Sequence, residues 1–199
     1  MPEWWTYTLS DFLLFSPRTY YRMIERYNAV LWPGQLAALG LGVALAWLLF
    51  RPGRWQARIV SAILMLLWAW VAWAFLWRRY ATINWAAGWF AWAFAIEAVL
   101  LGGIGVVRRG VSFGAKRGAG GALGMGLFVA AVALYPLVAV ALGRGWRQAE
   151  VFGLMPDPTA LGTIGLLLMT AGGLRWWALV VPLLWCAVSG ATMLAMAAG

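Results

Sequence analysis

The sequence predicts an all-α, polytopic membrane protein, with about six transmembrane helices preceded by an N-terminal amphipathic interfacial helix. Three observations lead there. Of 199 residues, 64% are hydrophobic and only 11% are charged, whereas a soluble domain carries about 45–50% and about 25%. Six apolar runs lie at roughly 29–50, 58–77, 84–107, 120–142, 157–173 and 176–198, and about 20 residues are needed to cross ~30 Å of hydrocarbon. The charges fall mostly between these runs, as they must when a charge at the bilayer centre costs at least ~2.5 kcal/mol.

Residues 1–28 read as an interfacial arm and 29–199 as the bundle. In the arm, Ser16-Pro17 is a helix start, with Ser as N-cap and Pro in the first turn. Tyr20, Met23, Ile24 and Tyr27 then share one face, and Arg18, Arg22, Glu25 and Arg26 cover the other. Such a helix lies along a membrane surface; the alternative is that it packs on a partner protein or folds back over the bundle. Trp4, Trp5, Tyr7, Phe12 and Phe15 suit the headgroup level. The first apolar run begins near Ala29 behind this arm, so no cleavable signal peptide is expected. The fifth run is short for a full crossing, so it either crosses untilted or begins inside the bundle.

The net charge is +9. The bases sit in short loops, where topology signals lie, so nucleic acid is not an expected partner. One side of the membrane would carry Arg51, Arg54, Arg58, Arg108, Arg109, Lys116, Arg117 and Arg175, with no acids. The other would carry Arg18, Arg22, Arg26, Arg78, Arg79, Arg144 and Arg147, together with Glu3, Asp11, Glu25, Glu150 and Asp157. The concentration of bases in two very short loops favours both termini outside the cytoplasm. Arg in place of nearly all Lys, with abundant Ala, Gly and Trp, suits a GC-rich bacterial genome. The expected location is then a bacterial inner membrane, with periplasmic termini.

Composition also removes chemistry. There is no His and one cysteine, Cys186. Haem, copper and His-ligated zinc are disfavoured, and Ser-His and Cys-His nucleophile pairs are excluded. No cofactor and no metal are expected, and the chain is not expected to be an enzyme.

Among candidate functional residues, Glu97 stands out as the carboxylate well inside an apolar run. It is either a proton, cation or ligand site, or a polar tie between helices. Its helix neighbours include Ala86 and Ala93, small residues that suit close packing. Asp157, in Met155-Pro156-Asp157-Pro158-Thr159, reads as an N-cap that meets the positive helix end. Thr159, Thr163 and Thr170 share a face that either lines a polar path or bonds back to helix carbonyls. Pro136 and Pro182 fall inside runs and mark kinks or cavity walls. Gly120-x-x-x-Gly124 is a close-packing motif. Of 16 tryptophans, Trp85, Trp89 and Trp92 share a face that either floors a ligand pocket or meets lipid. Ala29-Val30-Leu31-Trp32-Pro33 echoes Val132-Ala133-Leu134-Tyr135-Pro136, as an inverted repeat of three spans would, although chance likeness between apolar helices explains it better.

The block from Trp4-Trp5-Thr6-Tyr7 through Phe15-Ser16-Pro17-Arg18-Thr19-Tyr20-Tyr21, then Tyr27-Asn28 and Leu31-Trp32-Pro33, resembles the DUF6064 family of bacterial membrane proteins, a domain of unknown function. Phe152-Gly153-Leu154, Pro156-x-Pro158-Thr159 and Pro182-Leu183-Leu184-Trp185 resemble its second half. The family pattern often places Cys between those prolines. Asp157 stands there in this chain, which argues against a thiol-based role. The resemblance implies the membrane class and no established activity.

Two functions lead, since a membrane enzyme acting on a lipid or quinone would need an acid–base pair that isolated acids without His hardly assemble. One is a small-solute transporter, channel or ligand binder with an intramembrane cavity near Glu97. The other is a structural or accessory subunit of a larger membrane complex. The expected partners are the lipid bilayer and either other membrane proteins or further copies of the chain.

Overall fold

The computed structural model describes residues 15–51, 53–107, 112–114 and 118–198. The aromatic block Trp4 to Phe12 and the basic residues Arg108, Arg109, Lys116 and Arg117 lie outside the described residues.

The arm begins as its sequence requires. Helix α1 spans Pro17–Leu31, and its N-cap Ser16 accepts a hydrogen bond from the Thr19 amide at 3.3 Å. Its apolar face is buried: Tyr20, Ile24 and Tyr27 are at most 5% exposed. That face rests on the protein's own helices. Tyr20 meets Tyr80 edge-on at 5.7 Å, and Tyr27 meets Phe75 at 5.3 Å. The arm helix therefore folds back over the bundle, and its arginines face outward.

Helix α2 (Gly34–Leu49) follows at an angle of 87° to α1. The bend falls at Pro33, which lacks an amide hydrogen and pushes Trp32 out of the helical region, to φ −59°, ψ 130°. The first apolar run, expected from residue 29, is thus divided by a corner.

Among the described residues, four helices are long and apolar enough to cross a membrane: Gln56–Thr82, Ala87–Val107, Ala119–Ala141 and Arg175–Ala197. The bent pair α1–α2 makes a fifth if counted as one span. The count of about six is corrected to four or five, for two physical reasons. Pro33 turns the first run, and the fifth run holds only a 13-residue helix, α7 (Pro156–Leu168). At ~1.5 Å per residue α7 extends about 20 Å, well short of the ~30 Å hydrocarbon core.

Within the long spans, α3 (Gln56–Trp70) continues in wider π-type turns over Val71–Trp77. Helix α4 (Ala87–Leu101) continues likewise over Gly102–Val107. Helix α5 (Ala119–Val129) passes through such turns at Ala130–Leu134 into α6 (Tyr135–Ala141). Pro136 lies just after those turns. Pro182 lies in the first turn of α8 (Val180–Ala198), just past the tighter 3-10 turns of Gly173–Leu179 that run into it. Pro33 turns the chain sharply, whereas Pro136 lies within one continuous span, so the two echoing pentapeptides adopt different shapes. Two short strands, β1 (Ser112–Phe113) and β2 (Thr170–Ala171), pair antiparallel and tie the two ends that they join.

Helix α7 is the centre of the bundle. Every residue from Pro156 to Leu167 except Leu161 is buried. Its closest neighbour is α5, and two glycines set the approach. A Cβ on Gly165 would lie 2.6 Å from the Gly124 carbonyl oxygen, and one on Gly124 would lie 2.6 Å from that of Gly165. Gly124 of the expected motif therefore makes a close contact, whereas a Cβ on Gly120 would meet nothing within 4 Å.

Candidate functional site

The chain reaches α7 through a connection that is itself buried. Ala149, Glu150, Val151, Phe152, Leu154 and Met155 are each at most 7% exposed. Irregular backbone is tolerated at membrane depth only when protein satisfies it. Here α1 does much of that. Asn28 donates from Nδ2 to the carbonyls of Arg147 (2.9 Å) and Ala149 (2.8 Å), and the Tyr27 hydroxyl donates to the Leu154 carbonyl (3.1 Å). Gly153 turns with φ +81°, and its amide donates to Thr159 Oγ1 at 2.8 Å. A Cβ at Gly153 would lie 2.8 Å from Leu67 Cδ2, so both the turn and the space demand glycine.

Asp157 is the second residue of α7 and is 6% exposed. It does not cap the helix. The N-cap position is Met155, with no side-chain cap bond. Two flanking prolines explain this correction: Pro156 and Pro158 have no amide hydrogens, so the first turn has fewer donors for a cap to satisfy. The carboxylate turns to other helices. Oδ1 accepts from Trp185 Nε1 at 2.6 Å; Oδ2 accepts from the Ser189 hydroxyl at 2.8 Å and from the Tyr135 hydroxyl at 3.3 Å. Ser189 is midway along α8, so α7 starts near half the depth of that span. Asp157 thus joins α6, α7 and α8 at one buried point.

A cavity of about 230 Å³ opens beside it, lined by Tyr135, Asp157, Leu161, Cys186, Ser189 and Met193, with Gly190 at its edge. Two more charged groups lie near. Burial, with the charge of Asp157 adding and that of Arg144 opposing, pushes the Glu150 carboxyl up to about 8. The Arg144 guanidinium stacks over the Tyr21 ring at 4.1 Å, and its Nε and Nη1 are buried without a hydrogen-bond partner among the described residues.

The other sequence candidates are placed as follows. The Thr159 hydroxyl donates to the Met155 carbonyl (2.6 Å), that of Thr163 to the Thr159 carbonyl (2.8 Å) and that of Thr170 to the Leu166 carbonyl (2.8 Å), so these hydroxyls are bound to nearby backbone rather than strung along a path. Thr163 Oγ1 also accepts from Trp68 Nε1 at 2.9 Å, which satisfies that buried indole. Trp89 and Trp92 are 71% and 61% exposed and face outward, as lipid-facing tryptophans do. Trp92, with Trp73 and Trp77, lines an apolar groove of about 560 Å³ between α3 and α4. Glu97 is fully buried, and neither carboxyl oxygen has a hydrogen-bond partner among the described residues. It lines neither the groove nor the Asp157 cavity.

Sequence reasoning missed Tyr135, Trp185, Ser189, Cys186, Glu150 and Arg144 as members of one site. The available signal was Pro156-Asp157-Pro158 itself: a carboxylate between two residues without amide hydrogens has to find its donors elsewhere.

The fold and site define a polytopic α-helical membrane protein with a central short helix that begins inside the bundle. The family model for the family of unknown function (DUF6064) matches residues 18–198, and the chain belongs to that family. No curated protein and no solved structure matches the chain.

Proposed function

We propose that this protein binds a small organic amine or cation at the Asp157 cavity and carries it across the membrane. The observation that carries this reading is a carboxylate at the buried start of a half-length helix, lining a cavity of about 230 Å³. Discontinuous helices that begin at mid-depth are a recurring way to build a solute site in a bilayer. The lining supplies one charge and three polar tips, from Tyr135, Ser189 and Cys186, on an otherwise apolar wall of Leu161 and Met193. Nearby, Glu150 feels the charges of both Asp157 and Arg144, and two acids against one base in this group suit a positively charged solute. Glu97 fits the same reading as a second station. A buried carboxyl with no partner among the described residues calls for a proton or a cation, and either moves with the solute in this reading.

The test is uptake into proteoliposomes of a panel of radiolabelled small amines and of ammonium, driven by an imposed pH gradient. Uptake by the wild type, abolished in Asp157→Asn and uncoupled from the gradient in Glu97→Gln, is the expected result. Wild-type vesicles indistinguishable from empty ones across the panel would contradict the reading.

A further inference from the structure

The outward face of α1 is not simply a solvated edge. Arg18, Arg22 and Arg26 recur every four residues along it, and the end of the α3 span brings Arg78 and Arg79 against them. Together they wall a cleft of about 620 Å³, in which Thr19 and Thr82 add hydroxyls and, among the described residues, no carboxylate takes part. The acid on the same helix, Glu25, is turned toward Arg147 at 3.9 Å. Like charges do not gather at this density without a counter-charge, because each raises the electrostatic cost of the next.

Depth identifies the counter-charge. The span Gln56–Thr82 ends at this cleft, and α1 lies across that end on Phe75 and Tyr80. Trp73, Trp77 and Trp85, each at least 51% exposed, ring the same level, where tryptophans sit at a membrane–water interface. The guanidinium groups therefore stand at the height of lipid phosphates. Guanidinium forks match phosphate oxygens in charge and in paired hydrogen-bond geometry. The geometry points to a phosphate-binding site in the cleft between α1 and the end of α3, whose ligand is a phosphate ester or phosphate ion held by Arg22 and Arg78 from opposite walls. This site is separate from the Asp157 cavity and independent of the solute proposed there.

The test uses the full-length protein in detergent and native mass spectrometry. The probes are dioleoyl phosphatidylglycerol, dioleoyl phosphatidylcholine and inorganic phosphate. The variant R22Q/R78Q removes an exposed arginine from each wall, and R51Q/R54Q removes two from the far end of the bundle as a charge-matched control. At roughly fivefold per surface arginine, the cleft variant should lose phosphatidylglycerol retention by at least about tenfold, and the control should keep it. Retention of phosphatidylglycerol over phosphatidylcholine, unmoved by inorganic phosphate, assigns the site to a lipid headgroup. Displacement of the lipid by millimolar phosphate assigns it to free phosphate. If R22Q/R78Q destabilises the fold, R18Q/R26Q, both on the exposed face of α1, serves in its place. Equal retention of the two lipids with no phosphate binding, or cleft variants that match the control, overturns the inference.

Discussion

Replacing Asp157 with alanine tests the three-helix junction directly. The change strands the Trp185 indole N–H and the Tyr135 and Ser189 hydroxyls, which lie 2.6, 3.3 and 2.8 Å from the carboxylate oxygens. Hydrogen bonds between membrane helices average ~0.6 kcal/mol and reach about 1.7 kcal/mol. Those to charged groups run higher, at about 1.5–3 kcal/mol in soluble proteins. Trp185 is 7% exposed, so its N–H has little access to water, and its edge contacts with Phe90 and Phe94 fix the ring in place. Assigning the upper membrane value to Trp185 and about the mean to each part-buried hydroxyl gives a loss of roughly 3 kcal/mol for Asp157→Ala. Asp157→Asn keeps an oxygen for the indole and offers its amide to two hydroxyls that can accept, so it should cost about 1 kcal/mol. Reversible unfolding in mixed SDS micelles, followed by tryptophan fluorescence, measures both. Equal stability of the two variants, or no loss in Asp157→Ala, would refute the junction.

Other predictions follow from the packing and the charges. Gly165→Ala drives a Cβ to 2.6 Å from one backbone atom and 2.7 Å from another, so it should lose about 2–3 kcal/mol in the same assay, whereas Gly120→Ala, with open space, should be near neutral. Glu97→Met removes a buried carboxyl that makes no hydrogen bond among the described residues and should raise stability by about 1–3 kcal/mol; a loss of that size would show that Glu97 has a partner the fold depends on. The Glu150 carboxyl is raised to about 8, chiefly by burial. A raised folded value means that its contribution is whole below the ordinary carboxylate range and is lost as pH climbs from there through about 8. Glu150→Gln should flatten that part of the stability-against-pH curve; an unchanged slope would place the titration elsewhere.

The long spans were legible because lipid imposes a simple rule, and runs such as 58–77 and 84–107 follow it. The start of α1 was legible too, since Ser16-Pro17 and the Tyr20, Ile24, Tyr27 stripe encode a capped amphipathic helix. What covers that stripe was not, because lipid and the bundle make the same demand on an apolar face. The corner at Pro33 escaped since hydropathy averages across a proline. The shortness of the fifth run was legible, but the choice between an untilted crossing and a start inside the bundle was not, because a 13-residue helix with buried approaches is as apolar as a spanning one. In the site, Asp157 was readable as a special residue but not as a junction: Tyr135, Trp185 and Ser189 stand 22 to 32 positions away, and only the fold brings them together. Glu97 was readable as buried, and its isolation was not, since absence of a partner is a property of three dimensions.

Cys186 offers a built-in probe of the site, being the chain's single cysteine and part of the Asp157 cavity lining. The measurement is its rate of modification by a small cationic methanethiosulfonate reagent in sealed proteoliposomes, with and without a transported amine. Labelling that proceeds in the native protein, slows when the amine is present and loses that protection in Asp157→Asn is what the account predicts. A thiol that reacts only after unfolding, or one whose rate ignores the amine, would contradict it.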